Sequence, residues 1–368
     1  MKKEFKIGKK KVGGDNPCFV VAEIGINFDG KYEQALALID AAAQAGCDAV
    51  KFQLFKAEKM YPRGAGKYLT ARGEKKDIIK IVKEGELPHG WIAKLRDYAV
   101  QKGLIFFSSV CDEGSADVME KYGADVFKIT SYEITHIPLI RHVARKKKPV
   151  IFSCGGSTLA EVSEAMDVFR EEGNDKIVLM HCVGQYPAPL NSLNLNIIKT
   201  LQMIFPEVVV GYSDHSSDPV AAPKIAVALG AKVIEKHITL DRKLPGPDHS
   251  FAVEPEELAL MVKTIRQTEK EIKQRKKMKL DPVLLGKAER KTYQGEKWIR
   301  NFAYSCIFAK EKIERGEKFS RSNLIILRPG IKQRGLKPKY YELLIKGYKA
   351  TRVIPQFKSI SWDDILQR

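Results

Sequence analysis

From residue 19 to about 275, short apolar runs rich in β-branched residues alternate with stretches whose apolar positions recur at helical spacing. The runs at 19–27, 48–55, 104–110, 125–129, 149–154, 176–182, 208–213 and 232–238 predict eight strands. The amphipathic stretches at 32–45, 90–102, 159–172 and 218–229 predict helices between them, and 256–273 predicts the helix after the last strand. Gly46, Gly103, Gly123, Gly173 and Gly230 fall where these helices should end and would supply the left-handed cap residue. Eight strands, each followed by a helical segment, is the count for a closed parallel (β/α)₈ TIM barrel. An open doubly wound sheet would carry a glycine-rich turn after its first strand, and no G-x-G-x-x-G follows residue 27.

The periodicity stops near residue 275. Residues 276–300 are charged, lack an apolar rhythm and read as a linker. Beyond it, 302–309 predicts a strand followed by a turn at 312–317, then the apolar stretch 325–327 and a helix-like 338–345. The expected organisation is a catalytic barrel at 1–275, a linker at 276–300 and a small domain at 301–368. Such a tail is small for an independent core, so it should pack against another surface.

Composition narrows the class. Of 368 residues 44% are hydrophobic, yet no apolar run approaches the roughly 20 residues that cross a bilayer. Residues 1–12 are basic without the apolar stretch of a secretory signal. Six cysteines stand singly, with no spacing of a zinc site or disulfide framework, so a cytoplasmic protein without a membrane partner is expected. The net charge of +18 raises nucleic acid as a partner, but the basic runs at 145–148 and 273–279 lack interleaved aromatics. Solvated helix faces and a field that attracts anionic substrates are the expected reading, with no nucleic-acid partner.

A barrel carries its chemistry at the C-terminal ends of its strands. Strand one ends in Glu23-Ile24-Gly25-Ile26-Asn27, and alternation puts Glu23, Gly25 and Asn27 on one face. Strand two supplies Lys51 and Gln53, strand three Ser108-Ser109, and strand four Lys128 followed by Ser131 and Glu133. Strand five ends in Ser153, strand six in His181 before Tyr186, strand seven in Ser213-Asp214-His215 and strand eight in Glu235-Lys236-His237. Any one of these has an ordinary explanation as a cap or a snorkelling side chain. Gathered on one rim, they are charges that cost several kcal/mol each to bury unless they meet each other or a ligand. Lysines beside hydroxyls suit a phosphate and a carboxylate held together, which is phosphoenolpyruvate in outline. His215 and His237 end adjacent strands, about 4.7–4.9 Å apart, close enough for both imidazoles to reach one divalent ion. Hydrogen-bonded barrel histidines are the alternative, and the pairing favours the metal. His181 is open, since Cys182 competes with it for the inward position. Asp248, in the loop after strand eight, is a candidate sugar-binding or catalytic carboxylate, or an Asx-turn residue.

These segments together resemble the N-acetylneuraminate (sialic acid) synthase family, which includes legionaminic and pseudaminic acid synthases. The resemblance rests on Ala22–Asn27, Lys51-Phe52-Gln53, Lys128-Ile129 with Ser131 and Glu133, His181-Cys182 with Tyr186-Pro187, Gly211–His215, Glu235-Lys236-His237 and Gly246–His249. The tail is similar to that family's antifreeze-like (SAF) domain through 313–317, Arg328-Pro329-Gly330, Gly335-Leu336 and Ala350-Thr351-Arg352. The resemblance implies condensation of phosphoenolpyruvate with an open-chain N-acetylated amino sugar. It implies a divalent metal, usually manganese, with magnesium or cobalt as alternatives, on His215 and His237. It matches Lys51, Ser108, Lys128, Ser131, Ser153 and Ser213 to phosphoenolpyruvate and Glu23 and Glu133 to the reacting centre. Gln53, Tyr186 and Asp248 fall on the substrate side, and a domain-swapped homodimer is implied, the tail of one chain capping the other's barrel. A related phosphoenolpyruvate-dependent synthase or a metal aldolase acting on a phosphorylated sugar is the alternative.

The chain departs from the family pattern at Phe28, Cys154-Gly155-Gly156 and Gly184. It also has Ala303-Tyr304-Ser305 where the family carries an arginine expected to reach the sugar's N-acetyl group, with Arg300 the nearest. Loss of that guanidinium implies an acceptor other than N-acetylmannosamine.

Overall fold

In the computed structural model, which describes residues 3–70 and 73–366, the eight apolar runs become eight parallel strands of one closed barrel. A hairpin of β1 (Glu4–Ile7) and β2 (Lys10–Gly13) precedes them. The barrel begins with β3 (Phe19–Gly25) and β4 (Ala49–Leu54); a second hairpin, β5 (Lys67–Leu69) and β6 (Lys75–Asp77), follows on the rim. The ring continues through β7 (Ile105–Val110), β8 (Phe127–Ile129), β9 (Val150–Ser153), β10 (Ile177–Cys182), β11 (Val209–Asp214) and β12 (Val233–His237), which pairs back onto β3. Helices such as Tyr32–Gln44, His89–Gln101, Leu159–Glu171 and Pro255–Lys273 cover the outside. The fold is a (β/α)₈ barrel. All five glycines expected at helix ends have positive φ, between 61° and 95°.

The strands are buried on both faces, and their pleat divides two cores. Val20, Val50, Phe52, Phe106 and Phe152 face the helices. Phe19, Val21, Ala49, Phe107, Ile151, Met180, Val209 and Val233 fill the barrel axis, joined by Ile7 and Val12 of the first hairpin. That hairpin plugs the lower end; its four-residue strands alternate too briefly to stand out in the sequence.

Residues 276–300, expected as a linker, hold short helices at Pro282–Leu285 and, continuing past that range, Lys297–Ala303. The strand expected from residue 302 therefore starts later, as β13 (Cys306–Ala309), pairing with β14 (Leu324–Leu327). A separate small cluster that includes Ile307, Ile313, Phe319, Leu336, Ile354 and Ile360 forms the core of the tail. The tail lies over the mouth of its own barrel: Arg328 N donates to Met60 O (2.8 Å) and Ile331 N to Ala65 O (2.9 Å).

Glu161, on the first turn of the helix after β9, latches the two parts. Its carboxylate accepts from Arg300 Nη2 at 2.6 Å and Lys337 Nζ at 3.0 Å. Burial alone would raise its pKa; Arg300, the Thr158 N–H and Lys337 reverse this and bring it down to about 2. A depressed folded-state pKa gives stability that is present above the unfolded value, about 4.3, and is lost as pH falls toward 2. Glu161→Gln should therefore lower Tm at pH 7 by the equivalent of roughly 2–3 kcal/mol. The gap between variant and wild type should shrink between about pH 4.5 and 2, as read by thermal unfolding across that range.

Candidate active site

At the upper rim the barrel axis changes character one pleat step above its apolar layer. Two residues beyond Val21, Ala49, Phe107, Val126, Ile151, Met180 and Val233 stand Glu23, Lys51, Ser109, Lys128, Ser153, Cys182 and Glu235. Ser213 completes the ring, register-paired with both Cys182 and Glu235. Inward positions that a core would fill with aliphatics thus carry ammonium, carboxylate, hydroxyl and thiol groups.

Glu235 lies at the centre of their contacts. It is 3.2 Å from Lys128 Nζ and 3.6 Å from Lys51 Nζ, and accepts from Ser213 Oγ at 3.2 Å. Lys128 also donates to Ser153 Oγ at 2.6 Å, and Lys51 pairs with Glu23 at 2.8 Å, whose other oxygen accepts from Gln53 Nε2 at 2.9 Å. Gly25 belongs here for steric reasons: its φ is +56°, and a Cβ there would meet Glu23 Oε1 at 3.1 Å and Gln53 Nε2 at 3.2 Å. A register shift between Glu23 and Gly25 ends the alternation, so Asn27 turns away and donates to Ile238 O at 2.8 Å.

Burial sets the electrostatics. It raises the Glu23 carboxyl, Lys51 lowers it and Glu235 raises it again, leaving a pKa of about 7. Burial also resists ionisation of Glu235, but Lys128 and Lys51 outweigh it and the carboxyl titrates below its usual range. Lys128 is pulled down, by burial first and by Lys51 after it. Two cations and two anions satisfy one another here, and an entering anion can exchange places with the carboxylates around the ammonium groups.

These groups line a small cavity of about 80 Å³, together with Ser131, Tyr186, His215 and His237. A second chamber of about 150 Å³ adjoins it and shares Gln53, Tyr132, Tyr186, His237 and Arg328. Its remaining wall includes Tyr61, Tyr68 and Asp248. The first chamber is charged and the second aromatic.

His215 and His237 face each other at the shared boundary, ring centroids 5.5 Å apart. His215 Nδ1 donates to the Val183 carbonyl at 2.8 Å, which leaves Nε2 outside that bond; burial would lower the ring's pKa, but Cys182 and this carbonyl reverse that and raise it to about 9. His237 Nδ1 is buried without a hydrogen-bond partner, 3.8 Å from Asp248 Oδ2. Burial and then the positive charge of its neighbours hold His237 well below its ordinary pKa, so the ring stays neutral. Two convergent imidazoles, one with an orphaned nitrogen, fit a divalent cation, which His215 would bind on giving up a proton. Among the described residues no third His, Cys, Asp or Glu joins them as a ligand group.

Several expectations need correction. Ser108 is on the helix-facing side of β7, register-paired with Phe52, and Ser109, paired with Gln53 and Lys128, is the inward serine. His181 also faces outward, on Leu193 O at 2.7 Å, and Cys182 takes the inward place. Glu133 stands one step behind the cavity, its carboxylate engaged by Thr130 and by Arg328 Nη2 at 2.6 Å. That ion pair also revises the tail: a guanidinium does reach the mouth, and it is Arg328 of the Arg-Pro-Gly turn. The argument for an unusual acceptor from a missing arginine falls with it. The pleat could have given Glu235 from the sequence, because His237 and Glu235 share a face.

The sequence matches the NeuB family over residues 38–277. It is 51% identical over 362 residues to the spore coat polysaccharide biosynthesis protein SpsE of Bacillus subtilis, covering 98% of this chain and 97% of that one. The chain belongs to the NeuB family. Among solved structures, the crystal structure of Bacillus subtilis SpsE superposes with a TM-score of 0.90 at 49% identity over the whole of both chains. The N,N'-diacetyllegionaminic acid synthase of Legionella pneumophila is 34% identical over 97% of each chain. For a NeuB-family barrel, the two adjoining chambers are the candidate substrate sites.

Proposed function

We propose that this protein is a nonulosonic (sialic-type) acid synthase, a carbon–carbon bond-forming transferase. It condenses phosphoenolpyruvate with an open-chain N-acetylated amino hexose, of the N-acetylmannosamine or 2,4-diacetamido kind, and releases phosphate. The observation that carries this reading is the lysine- and serine-lined chamber adjoining an aromatic one in a NeuB-family chain. An enol phosphate fits the first and a sugar the second.

The enol carbon C3 attacks the acceptor's aldehyde carbon, whose oxygen gains a proton; water adds at C2, and the C2–O bond to phosphate breaks. Lys51 and Lys128, with Ser131, Ser153 and Ser213, hold the phosphate and carboxylate and set the angle of attack. Glu23 faces the positive charge that develops at C2. Glu235 spaces the two lysines. Gln53, Tyr186 and Asp248 meet the acceptor's hydroxyl groups, and Glu133 acts through Arg328, the tail's donor to the acceptor. His215 and His237 would hold a divalent metal, manganese foremost with magnesium or cobalt as alternatives, supplying Lewis acidity at the aldehyde oxygen.

Phosphate release from phosphoenolpyruvate, scored against a panel of aldoses with product masses, tests the reading. Release with an N-acetylated hexosamine supports it; an aldolase would release none. No release with any such sugar overturns it. For Arg328→Ala the acceptor KM should rise roughly 10- to 100-fold while that of phosphoenolpyruvate changes little, and Arg328→Lys should recover only part, because lysine lacks the planar fork.

We place the protein in the cytoplasm, a reading supported by six free cysteines, and as a domain-swapped homodimer. The barrel–tail contacts made here within one chain can be made between two. Sedimentation as a monomer at micromolar concentration would remove the dimer.

A further inference from the structure

Residues 290–304 do more than join barrel to tail: they close over the loops that follow β9 and β10. The backbone of Gly155 and Gly156 is held at every polar atom. Gly155 N donates to Ser131 Oγ (2.8 Å) and Gly156 N to Glu296 Oε1 (2.7 Å). Gly155 O accepts from Tyr304 Oη (2.5 Å), and Gly156 O from Thr292 Oγ1 and Arg300 Nη1 (both 2.8 Å). Glu296 Oε1 also accepts from Gly184 N at 2.9 Å, in the loop after β10. Its other oxygen accepts from Arg290 Nη2 (3.0 Å) and Tyr293 N (3.2 Å), and Arg290 itself donates to Ser157 O and Cys182 O. Arg290 and Glu296 are 4% and 1% exposed.

Departures from the family pattern that are scattered in sequence meet at this point. A Cβ on Gly156, whose φ is +69°, would lie 3.3 Å from Tyr304 Oη, and one on Gly184 would lie 3.4 Å from Ile299 Cγ2 and 3.7 Å from Glu296 Oε1. The connecting segment takes up the room that side chains on those loops would need. A staple serving only the fold could be apolar, since burying an ion pair brings little net stability. This carboxylate instead accepts from backbone N–H groups on two separate loops, three residues past Ser153 and two before Tyr186.

We infer that Glu296 is a positioning residue. By joining Gly156 N to Gly184 N it fixes the loops that present Ser153, the Ser131–Gly155 contact and Tyr186 to the substrates. The inference rests on the proposed synthase reaction and adds a residue from outside the barrel strands to it.

The test is Glu296→Gln in the full-length protein. The amide keeps the size but loses the charge that Arg290 and the two N–H groups share. The KM for phosphoenolpyruvate should rise about 10-fold or more. Hydrogen exchange in peptides covering 154–158 and 182–186 should quicken, with exchange elsewhere in the barrel unchanged. Should Glu296→Gln fold poorly, Tyr304→Phe, which removes only the bond to Gly155 O, should still quicken exchange at 154–158 and raise the same KM less. Unchanged KM and exchange overturn the inference, and so does a uniform rise in exchange across the barrel, which is the mark of a purely structural staple. If the wild type releases no phosphate with any acceptor, the synthase reading fails, and exchange at the two loops alone decides whether Glu296 positions them.

Discussion

Alanine at His215 or His237 is expected to weaken divalent-metal binding by more than the 10- to 100-fold typical of lost supporting contacts and to stop phosphoenolpyruvate-dependent phosphate release. The same loss should follow chelation of the wild type and be reversed by adding metal back. Stability should change much less. Tyr186 packs on His215 with centroids 4.2 Å apart and Phe251 meets His237 at 5.1 Å, so each alanine removes its own such contact and the one between the two histidines, together worth about 1–2 kcal/mol. Calorimetric titration with manganese separates the effects, because it reads the histidines without turnover. Full activity in chelator-treated enzyme would remove the metal from the reaction, and undiminished manganese affinity in both variants would remove the histidines from the metal.

The barrel was legible because its evidence is repeated: eight apolar runs and the glycines that end helices each point to one architecture. The phase of a single strand was not. In β7 the inward residues are Ile105, Phe107 and Ser109 and the outward ones Phe106, Ser108 and Val110, so each face carries two apolar residues and one buried serine. A strand buried on both sides has no polar–apolar contrast to fix its phase, and the register with Lys128 was needed to choose Ser109. The segment at 276–300 failed for the opposite reason. Its charges suggested solvent, yet Arg290 and Glu296 are buried because each finds its partners far away in sequence, at Ser157, Cys182, Gly156 and Gly184. Arg328 likewise stood in a recognised turn, but only its contact with Glu133 reveals that the turn delivers a guanidinium to the mouth.

The lysine pair permits an experiment that separates chemistry from folding. In Lys128→Met the Glu235 carboxylate keeps only Lys51, at 3.6 Å, and Ser213 Oγ. An incompletely paired buried anion destabilises by about 3–5 kcal/mol, so the single variant should unfold well below the wild type. Adding Glu235→Gln removes that anion and should restore most of the lost Tm, since replacing both members of a buried pair is often neutral. Phosphate release should remain down on the order of 10²–10³-fold or more in the double variant, because the ammonium group that meets the substrate anion is still missing. Recovered stability with absent turnover assigns Lys128 to the substrate. If turnover returned together with Tm, Lys128 would be needed only to neutralise Glu235, and phosphoenolpyruvate would have to be bound elsewhere.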